Sequence, residues 1–170
     1  MQIFFSFLIA IFFSLIGSKW IDFLYRLPTA PLTFPEKISS RAKFRKPFLT
    51  LILFVCFLSL QKFSAPSVFY LAAEIFFLAL IIFTDFEQYV IFDKMLLPFA
   101  IIGVAAIIHL NLPIFDRIIA AIFGGGIFFL LSILSRGGIG GGDIKLVATL
   151  GIWLGTEKAF CLKLCIVQSP

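Results

Sequence analysis

Two aspartates stand at the ends of apolar runs, where a carboxylate would meet both membrane and water. Asp85 ends the run at 67–84, and Asp143 begins the run at 144–154, 58 positions further along the chain. A pair of carboxylates hydrolyses a peptide bond without a metal when one takes a proton from water and the other, protonated, polarises the scissile carbonyl. Two carboxylates held close share one proton, because both cannot ionise cheaply. Asp85 and Asp143 are therefore the candidate catalytic residues.

The residues before Asp143 are mostly glycine. Gly137-Gly138-Ile139-Gly140-Gly141-Gly142 leads directly into that aspartate. Glycine admits backbone conformations and close approaches that other residues resist, so a peptide strand has room to lie against this segment. The residues alone leave two other interpretations open, an N-cap on an apolar helix or a phosphate-binding loop. The phosphate loop would require a Lys-Ser/Thr pair after the last glycine, and this chain has none there.

Further charged side chains lie near the two aspartates in the sequence. Glu74 is inside an apolar run 11 positions before Asp85, so a helix would place both on the same face. Glu74 could line a polar cavity or be protonated against a neighbour. We expect Glu87 to be solvated in the loop after Asp85, to face a basic substrate or to line the same cavity. We expect Asp93 to be a helix N-cap or part of that cavity. Lys145 is predicted to extend its ammonium group to the membrane interface.

The composition indicates which solvent surrounds the chain. Hydrophobic residues make up 61% of the 170 residues and charged residues 14%, with 24 phenylalanines, whereas a soluble domain is about half apolar and about a quarter charged. The apolar runs are continuous, which favours membrane-spanning helices over the alternating strands of a barrel. We therefore predict an all-α polytopic transmembrane helix bundle with about six spans and short cytoplasmic loops, forming a single membrane domain over 1–170. The runs are 3–24, 48–60, 67–84, 95–110, 114–134 and 144–154.

The distribution of basic residues predicts the topology. The loop at about 25–47 carries Arg26, Lys37, Arg41, Lys43, Arg45 and Lys46 against a single acid, Glu36. Loops rich in lysine and arginine stay in the cytoplasm, so the net charge of +5 serves here as a topology signal rather than a sign of nucleic-acid binding. If all six runs cross, the aspartate loops at about 85–94 and 135–143 lie on the same cytoplasmic side.

Several motifs together resemble one family. Gly140-Gly141-Gly142-Asp143 fits the Gly-x-Gly-Asp motif of intramembrane-type aspartic proteases, and Leu150-Gly151-Ile152-Trp153-Leu154-Gly155 continues it. Asp85, Asp93 and Pro98 are similar to an aspartate loop of the same family, and Tyr25-Arg26-Leu27-Pro28 is similar to the end of its first helix. On these residues the chain resembles the type IV prepilin peptidases.

The resemblance implies that Asp85 and Asp143 are the catalytic pair, with Gly140, Gly142 and Lys145 in the motif that the substrate approaches. It implies removal of a short basic leader from type IV prepilin or type II secretion pseudopilin precursors. The partners are then those precursors and the lipid bilayer, with no nucleic acid and no cofactor. The location implied is the bacterial inner membrane, with the active site facing the cytoplasm. No metal is expected, because 28–47 lacks the paired Cys-x-x-Cys motifs of many members.

Two alternatives stay open at this point. The chain stops at Pro170, inside what looks like a further apolar span at 159–167, whereas family members continue and end in a Pro-rich motif. A truncated, catalytically inactive relative is therefore one alternative, and the missing cysteines leave the family's second activity, N-methylation, open. A small membrane transporter that uses Glu74 and the acidic loops is the other, although it leaves the glycine-aspartate motif unexplained.

Overall fold

Helices account for all the regular structure in the part of the chain that is described. The structure, a computed structural model, describes residues 2–27, 32–34, 36, 38, 42–60 and 65–167, apart from the side chains of residues 2, 65, 66 and 157–167. The helices are α1 (Gln2–Tyr25), α2 (Arg45–Leu60), α3 (Ala65–Gln88), α4 (Asp93–His109), α5 (Ile114–Leu134) and α6 (Gly141–Val167), with a short 3-10 turn at Ala42–Phe44. The predicted all-α fold is confirmed. Each predicted apolar run lies within one helix, apart from Leu110 at the end of the fourth run, although most helices extend beyond their run.

Three of these helices are long and apolar enough to cross a membrane. They are Ile3–Tyr25, Ser67–Gln88 and Ile114–Leu134. Large apolar side chains stand on the surface, among them Phe115 and Leu134, which are 83% and 79% exposed, and lipid tails solvate such a surface whereas water does not. The 16 residues of α2 reach about 24 Å as a helix, less than the ~30 Å hydrocarbon core. Six crossings therefore stay a prediction.

The chain divides into two compact units, Met1–Met95 and Leu96–Pro170. In the first unit, α1, α2 and α3 pack around phenylalanine and leucine side chains. The ring of Phe13 in α1 meets Phe57 of α2 and Phe76 of α3 edge-on, with ring centroids 5.9 Å and 5.4 Å apart. The fully buried aliphatic residues of this core include Ile21, Leu49, Leu53 and Leu80.

Small residues form the face of α1 that turns inward. A Cβ added to Gly17 would lie only 2.5 Å from Cδ2 of Leu80 in α3, so the two helices approach closely at this point. The hydroxyl of Ser14 donates to the carbonyl of Lys46 at 3.0 Å. The small buried residues recur at four-residue spacing, which keeps them on one helix face; they are Ser6, Ala10, Ser14 and Ser18.

In the second unit, α5 and α6 pack tightly and α4 joins them through one tryptophan. A Cβ on Gly125 of α5 would lie 2.9 Å from the Cβ of Ala148 in α6. The indole of Trp153 stacks on the ring of Phe99 with centroids 5.3 Å apart, and its Nε1 donates to the Phe99 carbonyl at 3.0 Å. A glycine at position 103 makes room for this indole, since a Cβ there would lie 2.8 Å from Nε1.

Helix α6 is interrupted at Gly155. This residue has φ 70° and ψ 177°, a conformation that residues with a side chain rarely adopt. A Cβ on it would also collide with the carboxylate of Asp116. The interruption divides α6 into a first half, 141–154, and a second half that begins at Thr156, and it leaves backbone groups on both sides without their helical partners.

Two neighbouring residues at the start of α5 satisfy these backbone groups. The carboxylate of Asp116 accepts hydrogen bonds from the N–H of Thr156, at 3.0 Å to Oδ2, and from the Thr156 hydroxyl. Nη1 of the buried Arg117 donates to the carbonyls of Ile152, at 2.9 Å, and Trp153. An anion thus faces the N-terminal end of the second half and a cation the C-terminal end of the first, as the helix dipole favours. We call this arrangement the helix-break network.

Candidate active site

Asp85 lies in the last turn of α3 rather than in a loop. The helix continues through Gln88, so the aspartate loop expected at about 85–94 is reduced to 89–92. The N–H of Tyr89 donates to the carbonyl of Asp85 at 2.7 Å, and Tyr89 itself has φ 54°, the left-handed conformation that ends many helices. The Asp85 side chain is exposed. The Asp85 carboxylate is therefore accessible at the end of α3.

Glu87 is buried, and the expectation that it would be solvated is wrong. Its side chain is 1% exposed. Oε1 accepts a hydrogen bond from Nε of Arg45 at 2.7 Å, and Oε2 accepts one from the hydroxyl of Tyr25 at 3.0 Å. A lone buried carboxylate would be very costly, whereas one that is paired and hydrogen-bonded is tolerated. The cation that makes this burial possible comes from the predicted basic loop.

Arg45 joins the ends of three helices. It is the first residue of α2 and is 1% exposed. Besides Glu87 in α3, its Nη1 donates to Asp22 Oδ1 at 2.7 Å and to the carbonyl of Ser18 at 3.1 Å, both in α1. Its guanidinium carbon lies 5.5 Å from the centroid of the Tyr25 ring. We call Arg45, Glu87, Asp22 and Tyr25 the helix-end network.

Sequence reasoning missed the helix-end network because Arg45 was counted only as one of several loop cations. A signal was nevertheless present in Asp22, an acid within the first apolar run. A charged side chain in such a run is expected to have a partner. Lys37 and Arg41 of the same basic loop, together with Pro28 and Pro170, lie outside the described residues.

Gln88 holds part of the segment between α1 and α2, which we call the first connection, against the end of α3. Its side chain is fully buried and bonds to both backbone groups of Phe34: the Phe34 N–H donates to Oε1 at 2.8 Å, and Nε2 donates to the Phe34 carbonyl at 3.1 Å. The Phe34 ring also meets that of Tyr89 edge-on at 5.7 Å. Residues 87 to 89 are therefore each fixed by a separate contact.

Asp143 lies in the first turn of α6, at the end of the glycine-rich segment. The helix begins at Gly141, so Gly140 and not Asp143 immediately precedes it. The N–H of Asp143 donates to the carbonyl of Gly140 at 3.1 Å. A Cβ on Gly140 would lie 3.1 Å from Oδ2 of Asp143, so the carboxylate turns back over this glycine. Gly142 is half-buried, whereas Asp143 and Lys145 are exposed.

Glu74 and Asp93 belong to two consecutive helices. Glu74 is half-buried in α3, the helix that also carries Asp85, and Asp93 is exposed at the first position of α4. Asp85 belongs to the first unit and Asp143 to the second. Across the described ranges, no three His, Cys, Asp or Glu side chains gather as metal ligands. The pairing of the two aspartates and the polar cavity proposed for Glu74, Glu87 and Asp93 stay predictions.

Comparison with known proteins identifies the family. The model of the type IV leader peptidase family matches residues 72–167, more than half of the chain, and this range includes both Asp85 and Asp143. No curated protein and no solved structure gives a significant match. Three of the described helices are long and apolar enough to cross a membrane, which agrees with a peptidase located there. The chain therefore belongs to the type IV leader peptidase family, a family of membrane peptidases.

Proposed function

We propose that the protein is an aspartic endopeptidase that removes the short basic leader from type IV prepilin or type II secretion pseudopilin precursors, with Asp85 and Asp143 as its catalytic pair. The observation that carries the proposal is that the family match includes both aspartates and that each is an exposed carboxylate in the terminal turn of a helix. Both carboxylates are therefore open to water and to a peptide.

The reaction needs one proton and one water molecule. The ionised carboxylate takes a proton from water as the water oxygen bonds to the scissile carbonyl carbon, and the protonated carboxyl donates a hydrogen bond to the carbonyl oxygen. The tetrahedral intermediate then collapses, the C–N bond breaks, and a proton passes to the leaving amine. The two carboxylates act as a unit, so neither is assigned alone as acid or base. The glycines of 140–142 leave backbone room for an extended substrate.

The proposed orientation follows from the basic first connection. Its lysines and arginines favour the cytoplasm, and six crossings of a single membrane domain over 1–170 would bring the ends of α3 and the start of α6 to that side. This orientation suits a basic leader that has not crossed the membrane. We infer that the protein is a multi-pass protein of the bacterial inner membrane with its active site facing the cytoplasm.

Cleavage of a model prepilin by the chain reconstituted in lipid vesicles tests the proposal. We expect wild-type protein to cut after the glycine that ends the leader, as read by mass spectrometry of the products. Asp85→Asn and Asp143→Asn preserve side-chain size but remove the acid, and each is expected to lower the rate about 1,000-fold or more. Glu36→Gln, which removes an exposed acid outside both motifs, is the control and should cleave like wild type.

Two results would contradict the proposal. Processing at the wild-type rate by either asparagine variant would exclude that aspartate from catalysis. If wild type leaves the prepilin uncut under conditions in which another member of the family cuts it, the protein is a catalytically inactive relative.

A further inference from the structure

The second and third residues after Asp85 are held more firmly than Asp85 itself. Glu87 and Gln88 are 1% and 0% exposed, whereas Asp85 is exposed. Glu87 is bonded to α1 and α2 through Tyr25 and Arg45, and Gln88 is bonded to the first connection through Phe34, as described above. The last turn of α3 is therefore fixed from two directions, although the terminal turns of helices otherwise tend to fray.

We propose that Arg45 is a positioning residue for catalysis, which acts through its ion pair with Glu87 to fix the direction of the Asp85 carboxylate; this inference rests on the proposed function, in which Asp85 is catalytic. Asp85 and Glu87 share one helical turn, so rotation or unwinding of that turn moves both side chains. A catalytic side chain has to be held within about 0.5 Å of its productive position, and neighbouring residues supply that restraint.

The geometry of Arg45 suits this role better than apolar packing would. Its guanidinium donates in three directions, to Glu87 Oε1, Asp22 Oδ1 and the Ser18 carbonyl, at 2.7, 2.7 and 3.1 Å. A planar guanidinium with several fixed donors restrains direction as well as distance, whereas the single ammonium of lysine does not. Apolar contacts would hold α2 and α3 together but would restrain rotation of the α3 end less.

Steady-state kinetics of full-length protein in vesicles, with a model prepilin as substrate, separates positioning from binding. We expect Arg45→Met and Glu87→Gln each to lower kcat about 100-fold, the loss that misplacement of a catalytic group by about 1 Å can produce. KM is expected to change less than about twofold, because the lost interaction acts in the transition state. Arg45→Lys keeps the positive charge but loses the planar set of donors, so its kcat should lie between those of Arg45→Met and wild type.

Arg117→Met is the matched control. Arg117 is the other buried arginine described, and its partners are carbonyls of α6 at Ile152 and Trp153 rather than the turn that holds Asp85. We expect this variant to keep the kcat of wild type within about threefold once rates are divided by the folded fraction, which size-exclusion chromatography measures. An equal loss of kcat in Arg117→Met and Arg45→Met would overturn the proposal, because general loosening of the fold would then explain both.

Tyr25→Phe keeps the proposal testable if Arg45→Met does not fold. This variant removes only the hydroxyl that donates to Glu87 Oε2, and we expect kcat to fall about fivefold with KM unchanged. Wild-type kcat in Tyr25→Phe and Arg45→Lys together, or a loss confined to KM, would refute positioning.

Asp85→Asn, measured alongside, shows which of the two proposals has failed. If this variant is inactive while Arg45→Met and Glu87→Gln keep the wild-type kcat, only the positioning role is refuted. If Asp85→Asn cleaves like wild type, the proposed catalytic pair is wrong and the positioning role is refuted with it.

Discussion

The helix-end network of the first unit and the helix-break network of the second are built from similar residues but do different work. Each contains a buried arginine, Arg45 or Arg117, 1% and 7% exposed, together with an aspartate. Arg45 bonds mainly to side chains that come from other helices, whereas Arg117 and Asp116 bond mainly to backbone groups on either side of Gly155. A side-chain partner can be replaced together with the arginine, but a backbone carbonyl cannot. The helix-end network therefore fixes the ends of α1, α2 and α3 relative to one another. The helix-break network supplies partners for backbone groups where α6 is interrupted.

Removal of Arg45 is expected to have the largest effect on stability. Arg45→Met leaves the carboxylate of Glu87 buried without its cation, and the free energy of unfolding should fall by about 3–5 kcal/mol. Because apolar residues can replace a buried ion pair at little net cost, the double variant Arg45→Met/Glu87→Met should recover most of that loss. Denaturant titration of the two single variants and the double variant in micelles gives the coupling energy. Strictly additive losses would show that the ion pair is not the dominant element of this network.

Removal of Arg117 should lower the free energy of unfolding by less than removal of Arg45 does. A second substitution should not restore the lost stability. Arg117→Met deletes a charged donor to two carbonyls, so we expect a loss of about 2–3 kcal/mol, measured by the same titration. The carbonyls of Ile152 and Trp153 remain whatever is substituted, so replacing Asp116 as well should add to the loss. Lys19→Met, at an exposed position of α1, is the control and should stay within about 0.5 kcal/mol of wild type. If the Arg117→Met/Asp116→Ala variant is more stable than Arg117→Met, the two networks do not differ in the way proposed.

The smallest effect is expected for the carboxylate that caps the second half of α6. Asp116→Ala removes the acceptor of the Thr156 N–H, and loss of such a cap costs about 1 kcal/mol. Asp116→Asn retains an acceptor oxygen, so its free energy of unfolding should fall by about half as much as that of Asp116→Ala. Amide hydrogen exchange at Thr156 is the local measurement, with faster exchange expected in the order wild type, asparagine, alanine. Unchanged exchange in the alanine variant would mean that the second half of α6 does not depend on this cap.

Sequence reasoning predicted the parts of the fold that depend on local composition. Continuous apolar runs located the six α-helices in the described part of the chain, and the glycines of 137–142 marked the segment that leads into α6. It failed where two distant charges pair, since Arg45 and Glu87 are far apart along the chain and each alone looks like a solvated loop residue. The run that stops at Leu154 indicated where α6 is interrupted, but not that Asp116 would hold the interruption, because that depends on how α5 packs. The pairing of Asp85 with Asp143 is still a prediction.

The interruption at Gly155 has a consequence for how the protein enters the membrane during synthesis. The first half of α6, 141–154, would reach only about 21 Å, too short to partition into the ~30 Å hydrocarbon core as an independent segment. Helix α5 has 21 residues and is apolar apart from Asp116 and Arg117 near its start, so it is long enough to insert without help. Since Gly125 lets α5 and α6 approach closely, we expect the two to insert together as a helical hairpin. In that case Asp143 reaches its final position only together with α5.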